Sequence, residues 1–204
     1  MYAASSFKKL SQCEKIWLTV GGKCGIICTE AAGTAKITET EVFFMSKAVT
    51  VFFSAQGTTA KVAKNLARQA GIEAFEITPS EPYSDADIKW TNPLARCNKE
   101  KIGKKDVPFE CALKDISEYD TVFIGFPIWY YGAPNIISTF VKAFDWTGKR
   151  IALFATSGGS DIGKTAAKLE PSLGGKGEIV ASKLFKPSVT KEDLKEWAES
   201  VLAE

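Results

Sequence analysis

Ser54, Ala55, Gln56, Gly57, Thr58 and Thr59 set three hydroxyls, one carboxamide and a glycine directly ahead of a segment with helical periodicity. This is the composition of an anion cradle, in which hydroxyl and amide dipoles act with the unpaired N–H groups of a helix start. No Lys or Arg falls in the stretch, so a phosphate held there is held by dipoles, as in a backbone nest, and not by a point charge. A plain helix cap would need one such hydroxyl, not three. Two further stretches have unusual chemistry. Residues 125–134 carry Phe126, Pro127, Ile128, Trp129, Tyr130 and Tyr131 between turn residues, a flat apolar surface suited to stacking on an aromatic ring. Trp129 is the first choice for such a contact and Tyr130 the second; core packing is the ordinary use of at least one of the three aromatics. Residues 156–163 include Ser157, Gly158, Gly159 and Ser160, which offer donors and close backbone approach to the polar edge of a ring.

The elements that must position these stretches alternate in type. Residues 48–53 form a short apolar run, and residues 60–70 place Val62, Ala63, Leu66, Ala67 and Ala70 on one helical face until Gly71 ends the helix. Strands are expected at 73–77, 119–125, 150–155 and 178–185, the second of these strongly apolar as in a buried parallel sheet. Helices are expected after Pro134, at 161–169, and at 191–202, the last opened by Thr190 and Asp193 as a capping pair. Five strands alternating with helices argue for a parallel sheet covered on both faces. In the strand order 2-1-3-4-5, the loops after strands one, three and four share the carboxyl edge at the switch point where ligands bind. Those are the three unusual stretches. A phosphate site beside a large planar heterocycle describes FMN.

Composition closes other routes. The 204 residues hold no histidine, which removes Ser-His and Cys-His nucleophile pairs, histidine metal sites and histidine general bases. Five scattered cysteines, at 13, 24, 28, 97 and 111, give no zinc pattern and read as reduced thiols. The net charge is +2, and residues from Met45 onward hold 21 basic and 20 acidic residues, so no nucleic-acid partner is expected. No apolar run approaches the roughly 20 residues of a membrane helix, and the first residues lack a leader pattern, so a cytoplasmic protein without membrane attachment is expected.

Gly158 to Thr165 matches the phosphate-loop pattern G-x-x-x-x-G-K-[ST] at every position, which taken alone indicates a nucleotide triphosphatase. Only one further strand follows, whereas such a domain needs most of its sheet after the motif, together with an Asp-ended strand for magnesium. No G-x-G-x-x-G fingerprint occurs, which disfavours FAD.

Taken together, 54–59, Pro82 and Tyr83 with Asp87 and Trp90, 125–129, and 156–160 with Ile162 and Gly163 resemble the flavodoxin-like FMN-binding family, in order and spacing, over about residues 45–202. The resemblance implies an α/β three-layer sandwich, with a five-stranded parallel sheet of order 2-1-3-4-5 and helices on both faces. It also implies FMN phosphate on the first loop, at Ser54, Gln56, Gly57, Thr58 and Thr59. The isoalloxazine would lie between Pro127, Ile128, Trp129 and Tyr130 on one side and Ser157, Gly158, Gly159 and Ser160 on the other. Gln56 departs from the family's usual Thr, although its amide still donates. No acid or base side chain is then required, since the chemistry would belong to the flavin. The reading favoured is an FMN-dependent oxidoreductase taking electrons from NADPH or NADH for a small-molecule acceptor. The alternative is a small electron carrier that docks to a redox partner protein. A homodimer is compatible with an aromatic rim.

Residues 78–118 form a connection far longer than usual, and such connections are commonly functional. Its prolines discourage a long helix, and Tyr83, Asp87 and Trp90 mark it as a partial lid, with Tyr83 and Trp90 packing it down. Residues 1–44 read as an extension outside the core, since Met45 resembles a chain start; the competing reading makes 36–44 an edge strand or hairpin.

Overall fold

The computed structural model describes residues 14–20, 23–29 and 47–203. Within the first unit, β1 (Glu14–Val20) and β2 (Lys23–Thr29) form an antiparallel hairpin pairing Glu14 with Thr29 and Val20 with Lys23. The strand considered for residues 36–44 lies outside the described residues.

The second unit begins with β3 (Ala48–Phe52), α1 (Thr58–Ala70) and β4 (Glu73–Glu76), then continues through the long connection to β7 (Thr121–Pro127). It closes with α3 (Asn135–Lys142), β8 (Arg150–Thr156), α4 (Thr165–Leu169), β9 (Glu178–Phe185) and α5 (Lys191–Ala203). The five strands pair in the order β4-β3-β7-β8-β9, every pair parallel. Counted along this unit, that is 2-1-3-4-5, the order expected.

Alternation along the central strands divides the core in two. Val49, Val51 and Phe53 with Val122, Ile124 and Phe126 pack toward Ile136, Ile137 and Phe140 of α3. Ala48, Phe52, Phe123 and Phe154 face Val62, Ala63 and Leu66 of α1 and Trp197 and Val201 of α5. Period-two side chains and covering helices on both sides are what a buried parallel sheet requires. Gly125 serves this packing: a Cβ built there would stand 2.2 Å from Phe154 Cζ.

Several boundaries differ from expectation. β7 starts at Thr121, where its pairing with Ala48 of β3 begins, and the N–H groups of Asp120 and Thr121 both donate to the Lys47 carbonyl, at 2.7 and 3.2 Å. Helix α4 spans only Thr165–Leu169, not 161–169. Ser157 Oγ accepts from the N–H groups of Gly159 and Ser160, at 3.1 and 2.7 Å, and Gly163 sits at φ +46°, so the preceding residues stay in a loop. Within 78–118 the structure adds a short antiparallel pair, β5 (Thr78–Pro79) with β6 (Phe109–Glu110), and an eight-residue helix, α2 (Arg96–Gly103).

Candidate functional site

The three unusual loops follow β3, β7 and β8, neighbours in the sheet, and so share its carboxyl edge. The first enters α1 through Gly57, at φ +80° in the left-handed region where glycine is free to sit. No side chain caps α1, and its first turn holds no acid. Its leading N–H groups are therefore available to an anion, with the helix dipole favouring one. Ser54 Oγ is buried and has no hydrogen-bond partner, an unmet demand that a bound acceptor would answer. Gln56, Gly57 and Thr58 are exposed. Thr59 behaves differently from its neighbours. It is buried, and its hydroxyl lies 2.8 Å from Thr156 Oγ1, tying the start of α1 to the end of β8. Its contribution to an anion is thus chiefly the backbone N–H.

The second loop is a tight turn. Trp129 and Gly132 exchange backbone hydrogen bonds at 2.9 and 3.1 Å around Tyr130 and Tyr131, which both hold positive φ, +51° and +58°. Two successive left-handed residues define a type I′ turn, a shape usually given to Asn-Gly. Tyrosines held there store strain of the kind that clusters at functional sites. Tyr130 is kept by its hydroxyl, which donates to Asn98 Oδ1 and lies 3.3 Å from Cys97 Sγ. Burial first, and then Cys97, push its phenol above the ordinary value. Ile128 N–H donates to the Thr156 carbonyl at 2.9 Å, seating this loop against the third.

The long connection closes over the second loop, but not through Trp90. That indole is 71% exposed and corrects the expectation that it packs the segment down. Tyr83 does pack: its ring meets Trp129 edge-on at 5.4 Å and Phe53 at 5.9 Å, and Phe53 meets Trp129 at 5.7 Å. The Tyr83 hydroxyl donates to Glu100 Oε2 at 2.6 Å, while Arg96 donates to Glu100 Oε1 at 2.6 Å and lies 4.4 Å over the Tyr83 ring. Burial, reinforced by the Glu100 carboxylate, raises the Tyr83 phenol so far that it remains a donor. Asn135 Nδ2 donates to the carbonyls of Glu100 and Lys105, joining α2 to the start of α3. Asp87 is spent within the connection, accepting from the Ser84 N–H and hydroxyl.

Around the third loop, Gly158 and Gly159 have no atoms near a would-be Cβ. The loop therefore keeps open space where a ring edge would lie. Gly158 to Thr165 shows no phosphate-loop architecture: Lys164 is exposed, and the helix beyond has five residues.

Phe53, Arg96, Cys97, Asn98 and Glu100 form the site without standing out in the sequence, and Thr156 opens the third loop as expected but also reaches the first through its hydroxyl. Phe53 ends an apolar run that reads as core. The four on α2 lie where the pattern shows no helical period. Among the described residues, no helix is long and apolar enough to cross a membrane.

The family model for flavodoxin matches residues 47–201. A flavoprotein from Bacteroides uniformis is 34% identical, covering 76% of this chain and 98% of its own, with a TM-score of 0.71. A Bacteroides eggerthii flavoprotein is also 34% identical, over 78% of this chain and 99% of its own, at 0.72. The flavoprotein of Lactobacillus acidophilus in complex with FMN shares the fold at 22% identity, covering 75% and 99%, at 0.59. No curated protein matches the chain.

Proposed function

Because this chain belongs to the flavodoxin family, we propose that it binds FMN at the shared loop rim and passes electrons from NADPH or NADH to a small-molecule acceptor. The observation that carries the cofactor is the uncapped, glycine-entered start of α1 with the unpartnered Ser54 hydroxyl beside it. Ser54, Gln56, Gly57, Thr58 and the Thr59 N–H would hold the phosphate. Pro127, Ile128, Trp129 and Tyr130 would flank the ring, and residues 157–160 would meet its polar edge. Bound there, FMN supplies the capacity to take up a hydride or single electrons. The chain's own part is to position the ring, dry one side of it with the Phe53, Tyr83 and Trp129 cluster, and present backbone donors. The Lactobacillus acidophilus complex, of the same fold, supports FMN as the ligand.

A carrier that docks to a redox protein has one observation in its favour. The exposed large apolar side chains Trp90, Leu94, Ile102 and Tyr131 all lie on the long connection or the second-loop tip. The small net charge of residues 45–204 favours the reductase, since a docking carrier profits from electrostatic steering. Stopped-flow mixing of FMN-loaded protein with NADPH and with NADH decides between them. Rapid bleaching of the flavin bands supports the reductase. Flavin inert to both, yet reduced by a partner protein, supports the carrier.

A further inference from the structure

Two lysines from separate elements converge on the second loop. Lys101 Nζ of α2 and Lys168 Nζ of α4 stand 3.8 and 3.9 Å from the point where a Gly132 Cβ would sit. Lys168 donates to the Tyr131 carbonyl at 2.8 Å, which fixes its head at the turn. Among the described residues, no carboxylate pairs with either ammonium. Glu100, the nearest acid in sequence, has both oxygens occupied by Tyr83 and Arg96. Lys101 is half-buried, and desolvation together with the Lys168 charge disfavours its protonated form. Left alone, two exposed lysines would swing apart into water. Here one is partly desolvated and the other tethered, so positive charge is concentrated at one lip of the turn that bears Tyr130 and Tyr131. Neutralisation by an arriving anion is what such an arrangement lacks.

We propose that Lys101 and Lys168 receive the acidic group, a carboxylate, sulfonate or phosphate, of the small molecule that exchanges electrons with the flavin. This inference rests on the FMN reading above. It adds that the partner is anionic, and that its acid is read by residues outside the cofactor's own loops. An anion on a planar acceptor and the phosphate of a nicotinamide dinucleotide share this chemistry.

The test is equilibrium titration of FMN-loaded full-length protein with naphthoquinone sulfonate, and with uncharged menadione, for wild type, K101Q/K168Q and K101R/K168R. The glutamine pair should weaken the sulfonate about 10- to 100-fold, the worth of charge-assisted hydrogen bonds. Menadione binding should change less than about twofold, FMN affinity should be unchanged, and the arginine pair should retain the sulfonate. Competition of the redox-inert NADP+ with the sulfonate in wild type would assign the pair to the donor, and persistence of the sulfonate beside saturating NADP+ would assign it to the acceptor. Equal sulfonate binding by wild type and the glutamine pair overturns the proposal. So does a parallel loss of FMN affinity, which would make the lysines part of the cofactor site. Failure of the FMN reading looks different: wild type then takes up no flavin at all.

Discussion

Thr59 Oγ1 stands 2.8 Å from Thr156 Oγ1, a buried contact that bridges 97 residues and joins the start of α1 to the end of β8. The first loop and the third loop are therefore mechanically one piece. Removing one hydroxyl leaves the other buried without a partner, at about 1–3 kcal/mol. Thr156→Val should lower the thermal midpoint by roughly 2–4 °C per kcal/mol lost. The T59V/T156V pair should recover part of that loss, since two apolar groups make no unmet demand. Additive losses in thermal melts would show that the hydroxyls do not act as a pair.

Gly125 sits in the middle of β7, and Phe154 fills the space its missing side chain leaves. Gly125→Ala should destabilise by about 1–3 kcal/mol through overpacking. Denaturant titration of the variant checks this, and an unchanged midpoint would contradict it.

Tyr131 combines a left-handed backbone, φ +58°, with 75% exposure. Its side chain contributes little packing in return for the strain. Tyr131→Gly should raise stability by up to about 1 kcal/mol, the left-handed cost less the extra chain entropy of glycine. A lower melting temperature in the variant would show that the turn is held by the ring after all.

The strands were legible because each central one is a short, mostly apolar run, broken only by Thr50 in β3, and Gly71 and Thr190 marked helix ends by ordinary chemistry. Gly71 takes the left-handed position after α1, and the Asp193 N–H donates to Thr190 Oγ1 at 3.1 Å. Helix α2 was not legible. Only Cys97 of its eight residues is buried, so no apolar period marks it, and its role comes from tertiary partners at Tyr83, Tyr130 and Asn135. The type I′ turn was hidden for a related reason. Its usual Asn-Gly signal is replaced by Tyr130 and Tyr131, whose conformation is imposed by Asn98, Cys97 and Lys168 from elsewhere in the chain. An indole in a long connection looks like an anchor, yet the backbone carbonyl of Trp90, not its ring, makes the bond, to Asn98.

Tyr83 and Trp90 should therefore separate cleanly. Tyr83→Leu removes two edge-on ring contacts and the bond to Glu100, which should cost about 1–3 kcal/mol and loosen the long connection over Trp129. Trp90→Ala should leave both stability and flavin affinity near wild type. Limited proteolysis within residues 78–118 reads the difference directly: faster cleavage in the Tyr83 variant only.

Acid should lower the domain's stability in part through its local carboxylate turns. Asp87, Asp115 and Asp145 are each held below the ordinary carboxylate value, first by hydroxyl donors from Ser84, Ser117 and Thr147. A depressed folded value stabilises in full above the unfolded pKa, about 4, and is lost as pH falls through the lower folded one. Stability measured from pH 6 downward should decline below about pH 4. The D87N/D115N/D145N variant should show a shallower decline; an identical acid limb would assign the effect to other groups.

A start of α1 that holds the phosphate of FMN, as proposed, must distinguish FMN from riboflavin, which lacks only that phosphate. Apoprotein is titrated into each flavin while its fluorescence is followed. The expected result is saturable quenching with FMN and at least about 100-fold weaker binding of riboflavin, the difference made by charge-assisted bonds to several helix-start donors. Equal affinity for the two flavins, or no quenching by either, would contradict it.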